Sequence, residues 1–310
     1  MMNPTYATPG EIRKRFAKEK VLSWHQVRTW RGLLSIVIEW CCIVGMAAIC
    51  ERYFSWPLYL FTVIFIGARY LALGLIMHEA VHLLISRNRM LNDVVAEIFC
   101  AWPLLISMRS YRIKHLAHHR HLNTDKDPDY VAKTDKQWNF PMRPSALVKI
   151  LLIQISGFGM FETFRVMSGR KVNPAKKVSW SYTLARFSFY LAIAVCVIFF
   201  HWGELLLWYW LIPFATWTQL ANRLRRIAEH SGIDELDPSM RTRTTRHRAW
   251  VQWFLAPKNI ALHNEHHLYP GVPCYHLPKV HQAIMENVQV SNSLWMSDSY
   301  HEVYQQCTKK

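Results

Sequence analysis

The stretch LYLFTVIFIGARYLALGLIMHEAVH, residues 58–82, decides the fold, because a long apolar segment runs directly into a pair of histidines. Its apolar part, 58–77, is interrupted only by Arg69 and has about the 20 residues that a helix needs to cross ~30 Å of hydrocarbon. The preceding segment LLSIVIEWCCIVGMAAIC, 33–50, is similar in length and is interrupted only by Glu39. The two segments predict a membrane-spanning helical hairpin.

A second hairpin is predicted from LARFSFYLAIAVCVIFF, 184–200, and LLLWYWLIPFATWTQLA, 205–221, which a short HWGE turn separates. Two shorter apolar segments, 94–106 and 147–161, are predicted to be helices at or dipping into the membrane interface, because both are short for a span. Pro103 weakens the first of them further. We therefore expect an all-α integral membrane protein with four transmembrane helices in two hairpins, plus interfacial helices.

The chain is 51% hydrophobic, yet its formal net charge is +16. Arg52 lies at a hairpin tip and Arg69 and Arg186 lie within spans, and the other 34 of the 37 lysines and arginines fall on one side of the four predicted crossings. This bias is the positive-inside pattern, so it predicts that both termini and the clustered histidines face the cytosol, in a bacterial inner membrane. Contact with membrane lipids then explains the positive charge, so no nucleic-acid partner is expected. An acidic soluble partner on that face remains an alternative.

We expect residues 1–310 to form a single membrane domain. Its predicted parts follow the chain in order: a basic segment (1–32), the first hairpin (33–77), a cytosolic and interfacial region (78–183), the second hairpin (184–221) and a cytosolic region (222–310). The seven cysteines include no CxxC pair, so neither a disulfide framework nor an iron–sulfur or zinc-ribbon site is predicted. Any electrons for redox chemistry must therefore come from another polypeptide.

Three clusters of histidines have the spacing of metal ligands on a helix. Residues three or four positions apart share a helical face, so the two imidazoles of the first cluster can reach one metal ion and the three rings of each other cluster converge. The clusters are HEAVH (His78, His82), HLAHH (His115, His118, His119) and HNEHH (His263, His266, His267).

A ninth candidate, His230, lies in the stretch RRIAEHSG. The exit helix of the second hairpin can continue through Leu220, Leu224 and Ile227 at helical spacing, with Gly232 as its C-terminal cap. This places His230 in the last turn, just beyond the membrane surface.

Eight or nine imidazoles exceed what one ion accepts, so two ions are expected. Four or five neutral imidazoles per ion leave an open position, which suits oxygen chemistry at iron. Two other hypotheses compete. HEAVH alone is the zinc-peptidase pattern with Glu79 as general base, but it leaves the six histidines of the other clusters unexplained. A metal transporter or store would need more polar ligands within the spans.

The stretches HEAVH, HLAHHRHLNTDKDPD and HNEHHLYPGVPCYHLP, taken together, resemble the three histidine boxes of the integral-membrane fatty acid desaturase and hydroxylase superfamily. The resemblance extends from about residue 33 to 285 and includes both hairpins. RRIAEHSG is more similar to the bacterial short group that includes rhizobitoxine desaturase.

This resemblance implies a cytosolic cap that holds two iron ions by the nine histidines named above. It also implies O2 as oxidant and two electrons from a ferredoxin, a rubredoxin or a cytochrome b5. The implied substrate is a lipophilic acyl chain that enters between the helices from the membrane, with acyl carrier protein as one candidate carrier. Desaturation is the expected reaction, and hydroxylation on the same scaffold is the alternative.

Two details of the ligand set stay open. His121 is a spare candidate ligand within HHRH, although the HxxHH set keeps one helical face. Arg226 stands where animal desaturases have an asparagine that reaches a metal-bound water, which leaves that contact in doubt.

Five acidic residues beside the candidate ligands are expected either to orient imidazole N–H groups or to lie in solvated turns. They are Glu79, Asp125, Asp127, Asp129 and Glu265.

Overall fold

The computed structural model describes residues 8–129, 136–161, 179–233, 241–291 and 293–308. Almost all regular structure in these ranges is helical, as the sequence predicts. The α-helices are α1 (Pro9–Lys14), α2 (Lys18–Trp24), α3 (Thr29–Arg52), α4 (Trp56–Val81), α5 (Arg89–Ala96), α6 (Met108–His121), α7 (Pro144–Ile155), α8 (Trp180–Phe199), α9 (Gly203–Leu206), α10 (Ile212–Ala215), α11 (Trp217–His230), α12 (Ala249–Phe254), α13 (His263–Leu268), α14 (Leu277–Met285), α15 (Val288–Ser291) and α16 (Tyr300–Cys307).

The first predicted hairpin is present as α3 and α4, with Ser55 capping the start of α4. Both helices are long and apolar enough to cross a membrane. They differ in burial, because α3 exposes apolar side chains along most of its length whereas α4 is buried from Gly67 to Leu73 and from Leu75 to Val81. A Cβ atom on Gly67 would lie 2.7 Å from the Cβ of Trp217, so this glycine allows α4 and α11 to pack closely.

The second hairpin begins with α8, the third helix that could span a membrane. The predicted partner span 205–221 is not one helix. It is divided into α9, a π-helical turn (Leu207–Leu211), α10 and the start of α11, with the break at Thr216. Within the described ranges, three helices therefore meet the requirements for a span, or four if a bent pair is counted as one.

Pro213 has no N–H to donate to the carbonyl of Tyr209 one turn earlier, and the hydroxyl of Tyr70 donates to that carbonyl instead at 2.9 Å. At the break, the side chains of Thr218 and Gln219 donate to the carbonyls of Pro213 (3.1 Å) and Phe214 (2.9 Å). The carbonyl of Ile212 accepts both the backbone N–H (3.0 Å) and the hydroxyl (2.6 Å) of Thr216. The break is thus built into the fold with its polar groups paired.

The two ambiguous apolar segments are helical. Segment 94–106 forms the end of α5, a π-helical turn (Glu97–Ala101) and a 3₁₀ turn (Trp102–Leu104), after which the chain bends by 95° into α6. Segment 147–161 forms most of α7, which ends before Gly157 at φ +92°. Their placement at a membrane interface stays a prediction.

The C-terminal region closes around the ends of α4, α6 and α11. Gly232 has φ +69° after the end of α11, as expected of a C-terminal cap. Two short strands absent from the sequence prediction, β1 (Thr244–Thr245) and β2 (Met296–Ser297), pair in parallel. The helices α1 and α2 pack through Ile12 and Trp24 against the apolar side of α13 and α14. The ligand-bearing helix ends are therefore enclosed in protein.

Candidate metal centre

The nine predicted ligands lie together, although they come from four separate stretches of chain. His78 is in the last turn of α4 and His82 directly follows that helix. His230 is the last residue of α11. The remaining six are on one face each of α6 and α13.

A first group joins His78, His82, His115, His119 and His266, whose ligand nitrogens all lie within 4.8 Å of one another. Their Nε2 atoms form a chain of contacts. The Nε2 of His115 is 3.0 Å from that of His82 and 2.9 Å from that of His119, which in turn is 3.1 Å from that of His266. The ring of His78 lies beside those of His115 and His266, with centroids 4.3 and 4.6 Å apart.

A second group joins His118, His230 and His267, again within 4.8 Å, and His263 adjoins it. The Nε2 of His263 is 2.8 Å from that of His230 and 3.1 Å from that of His267. The two groups are neighbours, because the rings of His119 and His267 stack with centroids 4.3 Å apart.

These contacts fit metal ions better than they fit hydrogen bonds between rings. The Nε2 atoms of His115 and His119 each face two other Nε2 atoms, and one proton cannot satisfy both contacts. Imidazole nitrogens bind transition metals at about 2.1 Å, so two ligands at a right angle lie about 3.0 Å apart. The observed separations of 2.8–3.1 Å match that spacing.

The surroundings keep the rings in the form that binds metal. Burial, with help from Arg112, lowers the pKa of His82 to about 4. Burial, followed by the neighbouring histidines and, for His263, by Arg225, puts the pKa values of His263, His266 and His267 well below their usual range. Neutral imidazoles offer a lone pair, so these side chains are ready ligands at neutral pH.

Two rings are oriented by hydrogen bonds on the nitrogen that faces away from the cluster. The Nδ1 of His118 is 2.9 Å from Oδ2 of Asp127, a carboxylate that also accepts the backbone N–H of Asn123 at 2.8 Å. The Nδ1 of His230 is 3.1 Å from the carbonyl oxygen of Arg241. Such partners fix the tautomer and orient Nε2 toward the other rings of the cluster, so Asp127 makes the contact with an imidazole nitrogen that was expected of it.

The other acidic candidates have different partners. Glu79 accepts the backbone N–H of Cys274 at 2.7 Å, and Glu265 bonds to His281 and Thr244. Asp125 is exposed, as a solvated turn residue would be.

Two further candidates have a less direct relation to the cluster. Asp129 donates its backbone N–H to Asp127. In the part of the chain that the structure describes, the ring of His121 belongs to neither histidine group.

Sequence reasoning missed Glu229, which meets His230 and His263 in a third overlapping group. Its carboxylate oxygen is 3.8 Å from Nδ1 of His263, and two hydrogen bonds of 2.7 and 2.9 Å from Arg225 hold it. The i, i+4 spacing of Arg225 and Glu229 directly before His230 is a signal that could have revealed it. Arg226, one turn before His230, packs instead over the ring of Trp138 at 4.8 Å.

The family model named fatty acid desaturase matches residues 54–298, so the chain belongs to the fatty acid desaturase family. Dihydrorhizobitoxine desaturase of Bradyrhizobium elkanii is 27% identical over 278 residues, 83% of this chain and 76% of the relative. The sn-1 oleoyl-lipid 12-desaturase of Anabaena variabilis is 24% identical, covering 88% of this chain and 79% of its own. The beta-carotene ketolase of a Paracoccus strain is 24% identical, covering 69% of this chain and 76% of the relative. The resemblance stated from the histidine boxes is confirmed.

Proposed function

We propose that this protein is a membrane-bound, non-haem di-iron desaturase that uses O2 to introduce a double bond into a fatty acyl or related lipophilic chain. The observation that carries the proposal is the convergence of nine imidazoles, mostly buried, into two adjoining groups of the right number for two ions. The family supports an oxidoreductase of this class.

Each group would hold one iron. The first ion would be bound by His78, His82, His115, His119 and His266, and the second by His118, His230, His263 and His267. When bound, the irons would supply the redox chemistry through which O2 can remove hydrogen from an unactivated C–H bond.

The overall reaction is balanced when two electrons and two protons accompany O2. The substrate loses one hydrogen atom from each of two adjacent carbons, a carbon–carbon double bond forms, and O2 is reduced to two molecules of water. The protein's own contribution is to hold the ligand rings in fixed orientation and to exclude bulk water. Burial of His263, His266 and Asn264 provides that exclusion.

An apolar cavity of about 1290 Å³ is the proposed route for the acyl chain. It lies between α3, the turns after α5, and the hairpin of α8 and α9, and its walls include Trp40, Ala47, Tyr70 and Ala192. Tyr70 in its wall lies on α4 eight residues before His78, roughly 12 Å along the helix, and we propose that the acyl chain passes from the cavity to the histidines along this side of α4. The lining is almost wholly apolar, as a hydrocarbon substrate requires.

We further propose that the histidine-bearing side faces the cytosol and that an external ferredoxin, rubredoxin or cytochrome b5 delivers the electrons there. The asymmetric distribution of lysine and arginine supports this orientation. A basic surface would favour an acidic electron carrier or acyl carrier protein.

Oxygen insertion is the second candidate reaction, because a relative over 69% of this chain is a ketolase. The zinc-peptidase hypothesis fits less well. His78 and His82 lie with three further imidazoles, which is more than the ligand set of a peptidase zinc site.

The test is expression in a bacterial host, followed by mass spectrometry of lipids and small metabolites and by measurement of iron per chain. We expect two irons and an O2-dependent product lighter by two hydrogen atoms. His118→Ala should abolish the product, and His301→Ala, at an exposed position on α16, should not. A product heavier by one oxygen atom would support oxygen insertion instead, and a chain without iron would refute both.

A further inference from the structure

Helix α12 belongs to a region that the sequence predicts to be cytosolic, yet it packs against the middle of α4. The guanidinium of Arg69 donates a hydrogen bond to the carbonyl of Trp253 and lies over its ring at 5.2 Å. The ring of Phe254 contacts those of Phe61 and Phe65, with centroids 6.2 and 6.4 Å apart. These contacts tie α12 to residues far from the histidine end of α4.

The depth of these contacts follows from helix geometry. At 1.5 Å per residue, Arg69 lies roughly 18 Å and Phe65 roughly 24 Å along α4 from its end at Val81. Even from the end of the apolar segment at Met77, both are well inside a ~30 Å hydrocarbon layer. Any segment that contacts them from outside the helix pair therefore shares that depth.

We propose that residues 249–258 re-enter the membrane beside α4 and that Trp250 and Trp253 contact phospholipid acyl chains. This inference rests on the placement of α3 and α4 as spans, which is part of the proposed function.

Several backbone carbonyl groups of the segment have hydrogen-bond partners, as an apolar environment requires of polar groups. The carbonyl groups at the end of α12 are paired: that of Trp253 with Arg69, and that of Phe254 with the indole N–H of Trp217 at 3.0 Å. The carbonyl of Val251 accepts the N–H groups of Leu255 and Ala256, both at 2.8 Å.

The charges of the segment are also compensated. The ammonium group of Lys258 is 2.6 Å from Glu39 and donates to Ser35 at 2.7 Å. Glu39 in turn forms an ion pair of 3.0 Å with Arg69, and both of these side chains are almost fully buried. Charges at membrane depth are expected to be paired in this way, so the triad supports the insertion of the Lys258 turn between the two spans.

The outer face of α12 carries two exposed tryptophans. Trp250 and Trp253 are 54% and 51% exposed, and Leu60 near the start of α4 is 61% exposed. Arg246 and Arg248, both exposed, precede α12 and would lie among the phosphate groups. Paired tryptophans that follow exposed arginines are typical of a segment at the lipid interface, so phospholipid is the partner that this surface fits.

Spin-label depth measurement in vesicles tests the proposal. A nitroxide would be attached at Trp253→Cys and at Trp250→Cys, each in a background with the exposed Cys41 and Cys196 changed to serine. Matched controls are Leu60→Cys on α4 and Lys279→Cys, an exposed position on α14.

We expect the labels at 250 and 253 to collide frequently with O2 and rarely with a water-soluble nickel chelate, as at position 60. Position 279 should behave in the opposite way. Labels at 250 and 253 that match 279, while 60 remains protected, would overturn the inference and leave the spans intact. A label at 60 that is open to the chelate would overturn the span placement as well. If Trp253→Cys fails to fold because the Arg69 contact is lost, the label at position 250 still tests the proposal.

Discussion

Arg225 donates from its Nη1 to both carboxylate oxygens of Glu229, one helical turn further along α11, and this carboxylate lies 3.8 Å from Nδ1 of His263. Arg225 is a permanent positive charge beside the second histidine group, and Glu229 neutralises it, which would favour the cation binding that we propose there. The second histidine group therefore lies beside a neutralised ion pair rather than beside an unpaired cation.

The first prediction concerns this pair. Glu229→Gln should leave Arg225 partly buried without its counter-ion and weaken iron binding by the second group about 10- to 100-fold. Iron per purified chain, measured by mass spectrometry after dialysis, should fall from two toward one. Glu286→Gln breaks the exposed pair with Lys20 and serves as the control. Equal iron in both variants would contradict a role for Glu229 at the centre.

The second prediction compares two neighbouring aspartates. Asp127→Ala removes the acceptor on Nδ1 of His118 and should lower iron affinity about 10- to 100-fold, because the ring loses its fixed tautomer and orientation. Asp125→Ala, at an exposed position in the same turn, should bind iron like the unaltered protein. Titration with ferrous iron under nitrogen measures both, and indistinguishable affinities would rule out the orienting role.

The third prediction tests the packing of α4 on α11. Gly67→Ala places a Cβ atom 2.7 Å from the Cβ of Trp217 and 3.0 Å from a backbone oxygen, so it should destabilise the protein by about 1–3 kcal/mol. Gly45→Ala on α3 meets nothing within 4 Å and should be neutral or stabilising by up to about 1 kcal/mol. Thermal unfolding in detergent would show a lower melting temperature for the first variant only. The close helix contact would be refuted by similar stability of the two.

The fourth prediction concerns the proposed substrate cavity. Ala192→Trp fills part of the cavity and should shift the products toward shorter acyl chains, with several-fold less product from the longest ones. Ala194→Trp, on the same helix but outside the lining, should keep the original profile. Lipid analysis by mass spectrometry compares the two strains. An unchanged profile in Ala192→Trp would mean that the chain takes another route.

The first hairpin and the helical ligand sets could be predicted because both are local properties of the chain. Apolar length alone predicts α3 and α4, and the i, i+3, i+4 spacing alone brings His115, His118 and His119 to one face. The break at Thr216 could not be predicted as easily. Pro213 is visible, but the side chains that satisfy the freed carbonyls act only in the folded helix.

The remaining differences depend on tertiary contacts. Asp125 and Asp127 are equivalent in the sequence, and only the folded turn brings Asp127 to His118. Likewise, the proximity of Glu229 to His263 could not be predicted from the sequence, because it depends on the position of α13 in the folded protein. Hydrophobicity is also a poor guide to the depth of α12, because its position depends on the ion pairs of Lys258 and Arg69.

The convergence of early and late residues has a consequence for biogenesis. His78 is translated 188 residues before His266, yet both belong to the same five-membered group. A ribosome-bound chain therefore lacks a complete first group until α13 has been synthesised. If the group holds iron as we propose, loading follows the synthesis of α13, and chains stalled or cleaved before that helix would be unable to assemble the centre.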